Sequence, residues 1–574
     1  MRLVCGAALV AVLLSPMGTA GGFAAASQDI RTPAPLGFAF DFGRWPYPLN
    51  EEVGEELQEL SRRYPQLARV HNLGKTRRGR DLWVLEITNQ ATGPGHSKPG
   101  LWLDGNIHAG ELTGRPYLRY FASRLLYSYG KDELSTEMVD TRTFYVMPVF
   151  DADGGDLLLT RHPSWPGYDA DEHPGEDLDG DGYVTSMRMR DEAGGDGYRY
   201  YPEGLDPDRP GRSAFLDRSS RDTLTGEREG ADFNRNWSAE WRPEEPGAGA
   251  RPFSLPEVAA VADFILEHDN VFFTYTIHSG GGARSYMVRP PMNRPYDWMP
   301  GEDNFFYKRL GNMWAALSKG GITENNYYSF LFNTSELNEQ GEQRGYGETM
   351  FGFADDWAYM EAGLHSLTPE VNGSGWDYDG DGWIRPQEVD RWHREEKGGM
   401  FESPWVAFDH PVLGPVEIGG SRGIPPALDE TLQEHSEIQY DYLLYIASLS
   451  PLVEIVDLDS ESLGDGRYRI RATISNRGGL PTYVTQRAVD IRRDNPVVAA
   501  IEITGGGVVD GEPTRNIGHL GGFINGHEMR ASPVETIEWI VTAAGDGPVG
   551  VTVAAGTAKA GGDEATITIR ERAQ

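Results

Sequence analysis

Along the first 450 positions, short apolar runs alternate with stretches of helical period. LARVHNL (67–73), DLWVLEIT (81–88), GLWLDGN (100–106), TFYVMPVF (143–150), VFFTYTIH (271–278) and LHSLTPEV (364–371) read as strands. NEEVGEELQELSRRYPQL reads as a helix with Asn50 as its cap. Helical patterns recur over 111–127, 255–268, 303–318 and 429–448. Strands alternating with helices predict an α/β fold, a mixed and mostly parallel open sheet flanked by helices. The stretch from Asp151 to Asn234 is crowded with Asp, Gly, Arg and Pro, too polar for core, and reads as surface insertions.

The texture changes after Pro451. RYRIRATISN, YVTQRAVDI, VVAAIEIT, VETIEWIVTA, VGVTVAAG and ATITIRE are β-type runs separated by Gly, Asp and Asn, with no helical pattern left. They predict a β-sandwich over 451–574, separate from a main domain over 27–450. Residues 1–26 carry one Arg, an apolar stretch and then small residues, the pattern of a secretory signal peptide. That apolar run is too short for a spanning helix and Pro16 interrupts it, and no later stretch is long and apolar enough to span a membrane. Export to the periplasm or beyond is therefore expected. Cys5, the one cysteine, falls inside the signal, so bound metal ions are the expected substitute for disulfides. A formal charge of −35 argues against nucleic acid and anionic lipid as partners.

Candidate chemistry gathers at strand ends. His-x-x-Glu occurs at His108/Glu111, His173/Glu176 and His393/Glu396, but only the first pair lies between a predicted strand and a predicted helix. That position is the carboxyl edge of the sheet, where open α/β sheets bind ligands. VFFTYTIH ends in His278, and LHSLTPEV carries Glu370 at its end. Three strand ends thus deliver two histidines and two glutamates. Such a set matches three ligands for Zn²⁺ plus one carboxylate base for a metal-activated water.

On these residues the chain resembles the zinc carboxypeptidases, the funnelin type of metallocarboxypeptidase, over roughly residues 45–450. NIHAGE is similar to the family's first zinc motif, ADFNRNW (231–237) to its carboxylate-binding stretch, and SLPEVAAVADFI to the helix that follows. TIHSG and DDWAYMEAGLHSLTPE complete the match. The resemblance implies His108, Glu111 and His278 as zinc ligands and Glu370 as the general base. It implies Asn234 and Arg235 as the clamp for a substrate's free C-terminus, a task suited to a two-pronged guanidinium. The oxyanion arginine follows an Asn-Pro-Asp-Gly-like turn in the family. Asp151-Ala152-Asp153-Gly154 is its counterpart here, and Arg188 and Arg190 of TSMRMRD are both candidates. The family's mobile tyrosine aligns at Glu348, with Tyr346 the nearest candidate. Asp355, just before the Asp-Trp pair, resembles the carboxypeptidase B pattern and implies a preference for C-terminal Lys or Arg.

Two acidic loops add a second metal. DYDGDGWIRPQE (377–388) fits the EF-hand calcium loop, with Asp377, Asp379, Asp381, Trp383 and Glu388 as ligands. DLDGDGYVTSMR matches at Asp177, Asp179 and Asp181 but has Arg188 where Glu is expected. The leading expectation is an exported zinc metallocarboxypeptidase acting on peptide or protein C-termini, with structural calcium. Its rivals are a zinc amidase or endopeptidase of cell-wall peptides and a non-catalytic, calcium-dependent surface-binding protein.

Overall fold

The structure is a computed structural model. It describes residues 32–42, 47–161, 177–181, 185–191, 197–204, 231–245, 247–279, 286–291, 298–317, 331–332, 351–371, 391, 395, 402–421, 430–524, 531–545 and 547–569. Its main sheet contains β1 (Ala68–Lys75), β2 (Asp81–Ile87), β3 (Gly100–Gly105) and β4 (Thr143–Met147). β5 (Ser186–Arg190) and β6 (Tyr198–Pro202) leave it, and β7 (Val271–Ser279), β8 (Tyr286–Val288), β9 (Leu331–Phe332) and β10 (His365–Val371) return to it.

The strand order is β1-β2-β4-β3-β7-β10-β8-β9. The four central strands β4, β3, β7 and β10 run parallel. β1 pairs with β2, β2 with β4 and β8 with β10 in the antiparallel sense, so the sheet is mixed. Every residue of β3, β4 and β7 is buried. Helices cover both faces of a parallel sheet, which is why these segments read as nearly continuous apolar runs.

One face packs against the helices Gly114–Ser128, Gly301–Leu317 and Glu430–Ser448 through Leu118, Phe121, Leu310 and Leu443. The helix Pro256–Glu267 covers the other face with Val258 and Val261, beside Trp237 and Trp357. Gly105 and Gly114 let strand end and helix start touch backbone to backbone, since a Cβ on either would lie 2.7 Å from the other's Cα.

The helix expected from 111 starts at Gly114, which leaves Glu111 in the preceding loop. Three helices of the main domain escaped the pattern: the short Ala354–Met360, Glu133–Thr141, capped by Asp132 on the Ser135 N–H, and Ala152–Arg161, whose period is hidden by Gly154-Gly155 and a run of three leucines. Part of the polar insertion also folds. β5 and β6 join β11 (Glu402–His410) and β12 (Gly414–Ser421) in a separate four-stranded sheet of order β11-β12-β5-β6.

The C-terminal strands are β13 (Val453–Gly464), β14 (Arg467–Asn476), β15 (Val497–Thr504), β16 (Gly506–Asp510), β17 (Thr514–Gly518), β18 (Val534–Ala543), β19 (Val549–Thr557) and β20 (Gly561–Ile569). They make two four-stranded antiparallel sheets, β13-β14-β18-β16 and β17-β15-β19-β20, around Ile470, Trp539 and Val551. YVTQRAVDI is not a strand. Thr485 accepts the Ala488 N–H at 2.8 Å and starts the short helix Gln486–Asp490, so a local cap overrides the β-branched composition.

His365 opens β10 and is buried among Phe273, Phe306 and Tyr307. Burial pulls its pKa down to about 3. A folded-state pKa below the unfolded value of 6.5 lends stability that is full above pH 6.5 and is lost as pH falls toward 3. Within that window the loss reaches about 1.4 kcal/mol per pH unit. His365→Phe is expected to flatten this part of the acid arm in thermal denaturation at graded pH; an unchanged slope refutes the assignment.

Candidate metal centre

β3 ends at Gly105, and Asn106 turns the chain with φ 61°, a left-handed conformation that asparagine tolerates. The Asn106 amide then binds the loop it begins, donating to the His108 carbonyl at 2.6 Å, while Arg115 Nε donates to Asn106 Oδ1 at 2.7 Å. The Glu111 N–H closes on the His108 carbonyl at 3.0 Å. This folded loop holds His108 and Glu111 at the carboxyl ends of the parallel strands. β7 brings His278 to the same edge, and the β7–β10 register sets Glu370 opposite His278.

The structure brings these four residues together. His108 Nδ1 lies 3.0 Å from Glu111 Oε1, and His278 Nδ1 lies 2.9 Å from Glu111 Oε2. One donor atom each from His108, Glu111 and His278 falls within 4.8 Å of the others. Glu370 Oε1 stands 4.0 Å from His278 Nδ1. The imidazoles meet edge to face, with ring centroids 4.8 Å apart.

Sequence reasoning missed Asp232, whose Oδ1 lies 3.1 Å from His108 Nε2. A carboxylate on Nε2 holds the proton there and leaves the Nδ1 lone pair facing Glu111, the arrangement in which a histidine ligates a metal. The available signal was its place in ADFNRNW, two residues before Asn234.

The electrostatics favour a cation. Burial lowers the pKa of His108, but the charges of Glu111 and Asp232 outweigh it and hold the imidazole well above its usual value. Burial likewise opposes, and Glu111 raises, the pKa of His278. Burial raises the Glu111 pKa, yet the two imidazoles hold it below the usual carboxylate range. Burial, reinforced by the charge of Glu111, pushes Glu370 up to about 7. Two nitrogens and one carboxylate oxygen converging on a common point form a donor set suited to zinc.

Asn234 and Arg235 flank this centre. Asn234 Nδ2 lies 3.5 Å from His278 Nε2, and its Oδ1 accepts the Ala354 N–H at 2.9 Å. Arg235 donates from Nη1 to the Asn234 carbonyl at 2.8 Å and lies over the Phe353 ring. Glu245 and Asp232 each approach the Arg235 guanidinium to 3.5 Å. Gly352 permits this packing, since a Cβ there would meet the Arg235 carbonyl oxygen at 2.3 Å. Asp355 is fully buried on the short helix Ala354–Met360 and accepts hydroxyl bonds from Ser366 at 2.5 Å and Thr368 at 2.6 Å.

Arg188 is engaged elsewhere. It lies on β5, bonds Glu417 at 2.8 Å, and is sandwiched between Tyr198 at 4.2 Å and Trp405 at 4.0 Å. Arg190 sits over Tyr198 on the same strand. The insertion has built its own sheet, and Arg188 and Arg190, the two candidates for the oxyanion, both lie on its strand β5. Asp177, Asp179 and Asp181 present exposed oxygens within 4.8 Å of one another. Buried Glu203 braces the ends of their loop through the Leu178 and Thr185 N–H groups. Tyr346, the calcium set Asp377, Asp379, Asp381, Trp383 and Glu388, and the signal segment lie outside the described residues.

The zinc carboxypeptidase family matches residues 53–181 and 193–388, together more than half of the chain. A domain of unknown function matches residues 452–568. Carboxypeptidase A6 of Mus musculus is 27% identical over 259 residues, 44% of this chain and 46% of that protein. Carboxypeptidase B of Bos taurus is 24% identical over 335 residues, 57% of this chain and 63% of that protein. The chain therefore spans less than two thirds of the length of these relatives. Among solved structures, thrombin activatable fibrinolysis inhibitor aligns with 69% of this chain and 74% of its own, at 17% identity and TM-score 0.40.

Asp232→Asn keeps shape but removes the charge behind His108. Competition against a chelator of known affinity is expected to show zinc binding weakened about 10- to 100-fold. Unchanged affinity would show that Asp232 plays no part in holding the ligand.

Proposed function

The chain belongs to the zinc carboxypeptidase family, and from that premise we propose that it is an exported zinc metallocarboxypeptidase removing C-terminal residues from peptides or proteins. The observation that carries the reading is the convergence of both imidazole Nδ1 atoms on the two oxygens of Glu111, with the Glu370 carboxylate beside them. His108, Glu111 and His278 would hold the ion. When bound, zinc supplies Lewis acidity, polarising a carbonyl and bringing the pKa of a water toward neutrality.

This chain's own groups do the rest. Glu370 takes the proton of the attacking water and passes it to the leaving amine, a task for a carboxylate with an affinity for protons near neutral pH. Asp232 keeps His108 in its ligating tautomer. Arg235, with Asn234 beside it, grips the substrate's terminal carboxylate through paired N–H donors and so selects exopeptidase cleavage. Phe353 and the Asn234 carbonyl hold the guanidinium plane for that contact.

Asp355 sets the preference for C-terminal Lys or Arg. Burial raises its pKa, with the Ser366 and Thr368 hydroxyls opposing. A buried carboxylate held by hydroxyl hydrogen bonds gains most from a cationic side chain brought beside it. Calcium belongs to the reading as a structural ion at the 177–181 and 377–388 loops, in a chain whose single cysteine cannot form an internal disulfide.

Glu370→Gln keeps the size of the side chain and removes the base. We expect kcat to fall about 100- to 10,000-fold while zinc stoichiometry, read by elemental analysis, stays at one per chain; a variant that turns over at the parent rate defeats this role. Hydrolysis of Lys-, Arg- and Phe-ended peptides is expected to favour the basic pair. Asp355→Leu should cost that preference about 30-fold or more, the effect of unpairing a buried charge. A parent enzyme that prefers Phe ends the basic-specificity reading.

A further inference from the structure

Beneath the helix Ala354–Met360, the central sheet carries a row of polar side chains that the proposed chemistry leaves unexplained. β3, β7 and β10 lie side by side, with Asp104 in register with Thr276 and Thr274 in register with Ser366. Two hydrogen-bonded chains run along this row. In the first, Thr276 donates to Asp104 Oδ2 at 3.1 Å and Trp102 Nε1 to the same oxygen at 2.6 Å. In the second, Thr274 donates to Ser366 at 2.7 Å, and Ser366 donates to Asp355 Oδ1. One chain stops at Asp104 and Thr276, and the other starts at Thr274.

A cavity lies at the break. It is lined by Asp104, Thr274, Thr276, Trp102, Trp237 and Trp357, among others, and gives the centre of a water-sized sphere about 10 Å³. Asp104 is 2% exposed, and its Oδ1 has no hydrogen-bond partner among the described residues. An orphaned, fully desolvated carboxylate oxygen is costly and rare in a folded protein. The hydroxyl protons of Thr274 and Thr276 are already given to Ser366 and Asp104, so both threonine oxygens have only lone pairs to offer. Burial pushes the Asp104 carboxyl up to about 7, and with that group ionised the cavity presents three acceptors and room for one small donor.

We propose that this cavity holds a single internal water, which donates to Asp104 Oδ1 and Thr274 Oγ1 and joins the two chains into one relay from Asp104 to Asp355. The volume matches one water, whose two protons meet two of the three acceptors, and two bonds lie within the range usual for a buried water. Three oxygens are too few to replace the hydration shell of a metal ion, and an apolar occupant would leave Asp104 Oδ1 unpaired. The relay makes Asp104 and Thr274 positioning residues for Asp355, because the Thr274 proton, given to Ser366, directs the Ser366 proton to Asp355. This role rests on the reading of Asp355 as the acid that selects basic C-terminal residues, whereas the presence of the water does not.

The test is a high-resolution crystal structure of the zinc-loaded enzyme together with kinetics of Thr274→Val, which keeps shape and removes the hydroxyl. One peak is expected in the cavity, within hydrogen-bonding distance of Asp104 Oδ1 and Thr274 Oγ1. An empty cavity, or a peak with the coordination of a metal ion, overturns the proposal. In Thr274→Val the ratio of kcat/KM for Lys-ended over Phe-ended peptides is expected to fall about tenfold, the effect of one lost hydrogen bond. An unchanged ratio overturns the positioning role. If Thr274→Val fails to fold, Asp104→Asn is read for the same ratio. A parent enzyme without any basic preference would remove the reading of Asp355, and the cavity density would still decide the water.

Discussion

The register between two parallel strands is the constraint on which the rest of this structure depends. β7 and β10 pair so that Glu370 stands opposite His278, and β3 pairs with β7 so that Asp104 stands opposite Thr276. Side chains alternate between faces, so a slip of one residue would send Glu370 to the far side of the sheet from the crevice. The packed faces forbid that slip, because it would turn Leu367 and Tyr275 out of the apolar cluster on one face and bring Ser366 and Thr274 into it. Chemistry at the carboxyl edge is thus fixed by packing deep in the core, far from any substrate.

The same edge concentrates negative charge. Glu111, Asp232 and Glu370 lie around two imidazoles, with Asp355 and Asp104 buried just beneath. In a medium of low effective dielectric, this excess needs positive charge from protons, a metal ion or a substrate side chain. His108 and His278 carry raised pKa values because they supply part of it. Arg235 supplies more at the rim, within 3.5 Å of Asp232 and Glu245. One electrostatic deficit thus favours a dication at the centre, and the acid at Asp355 extends it into the floor.

Much of this was legible in the sequence, for identifiable reasons. Strands buried on both faces leave continuous apolar runs, so the strands carrying His278 and Glu370 stood out along with their polar endings. Convergence of residues more than a hundred positions apart followed from the parallel arrangement and from the family resemblance. What stayed hidden depends on contacts that no local pattern encodes. Asp232 meets His108 across 124 positions, and Arg188 finds Glu417 across 229. The helix Gln486–Asp490 was lost because a single threonine cap decided against a β-rich composition.

That short helix also gives the C-terminal strands a mechanical meaning. Asp303, on the helix Gly301–Leu317, accepts the Gln486 N–H at 2.9 Å and the Tyr359 hydroxyl at 2.7 Å. Thr485 donates to the Gly363 carbonyl at 2.9 Å, and Arg487 donates to the Met360 carbonyl at 3.0 Å. Gly363 abuts Ala488 so closely that a Cβ there would lie 2.9 Å from the Ala488 Cα. Every one of these contacts falls on the segment between Asp355 and the start of β10, or on the helix behind it. Tyr359, Met360 and Gly363 are the residues through which the helix carrying Asp355 passes into the strand carrying Glu370. A chain with no internal disulfide has few ways to stiffen such a turn, and a packed β-module bonded to its backbone carbonyls is one of them. The placing of Asp355 relative to Glu370, proposed above as specificity acid and base, is held at a junction that the C-terminal module clasps from outside.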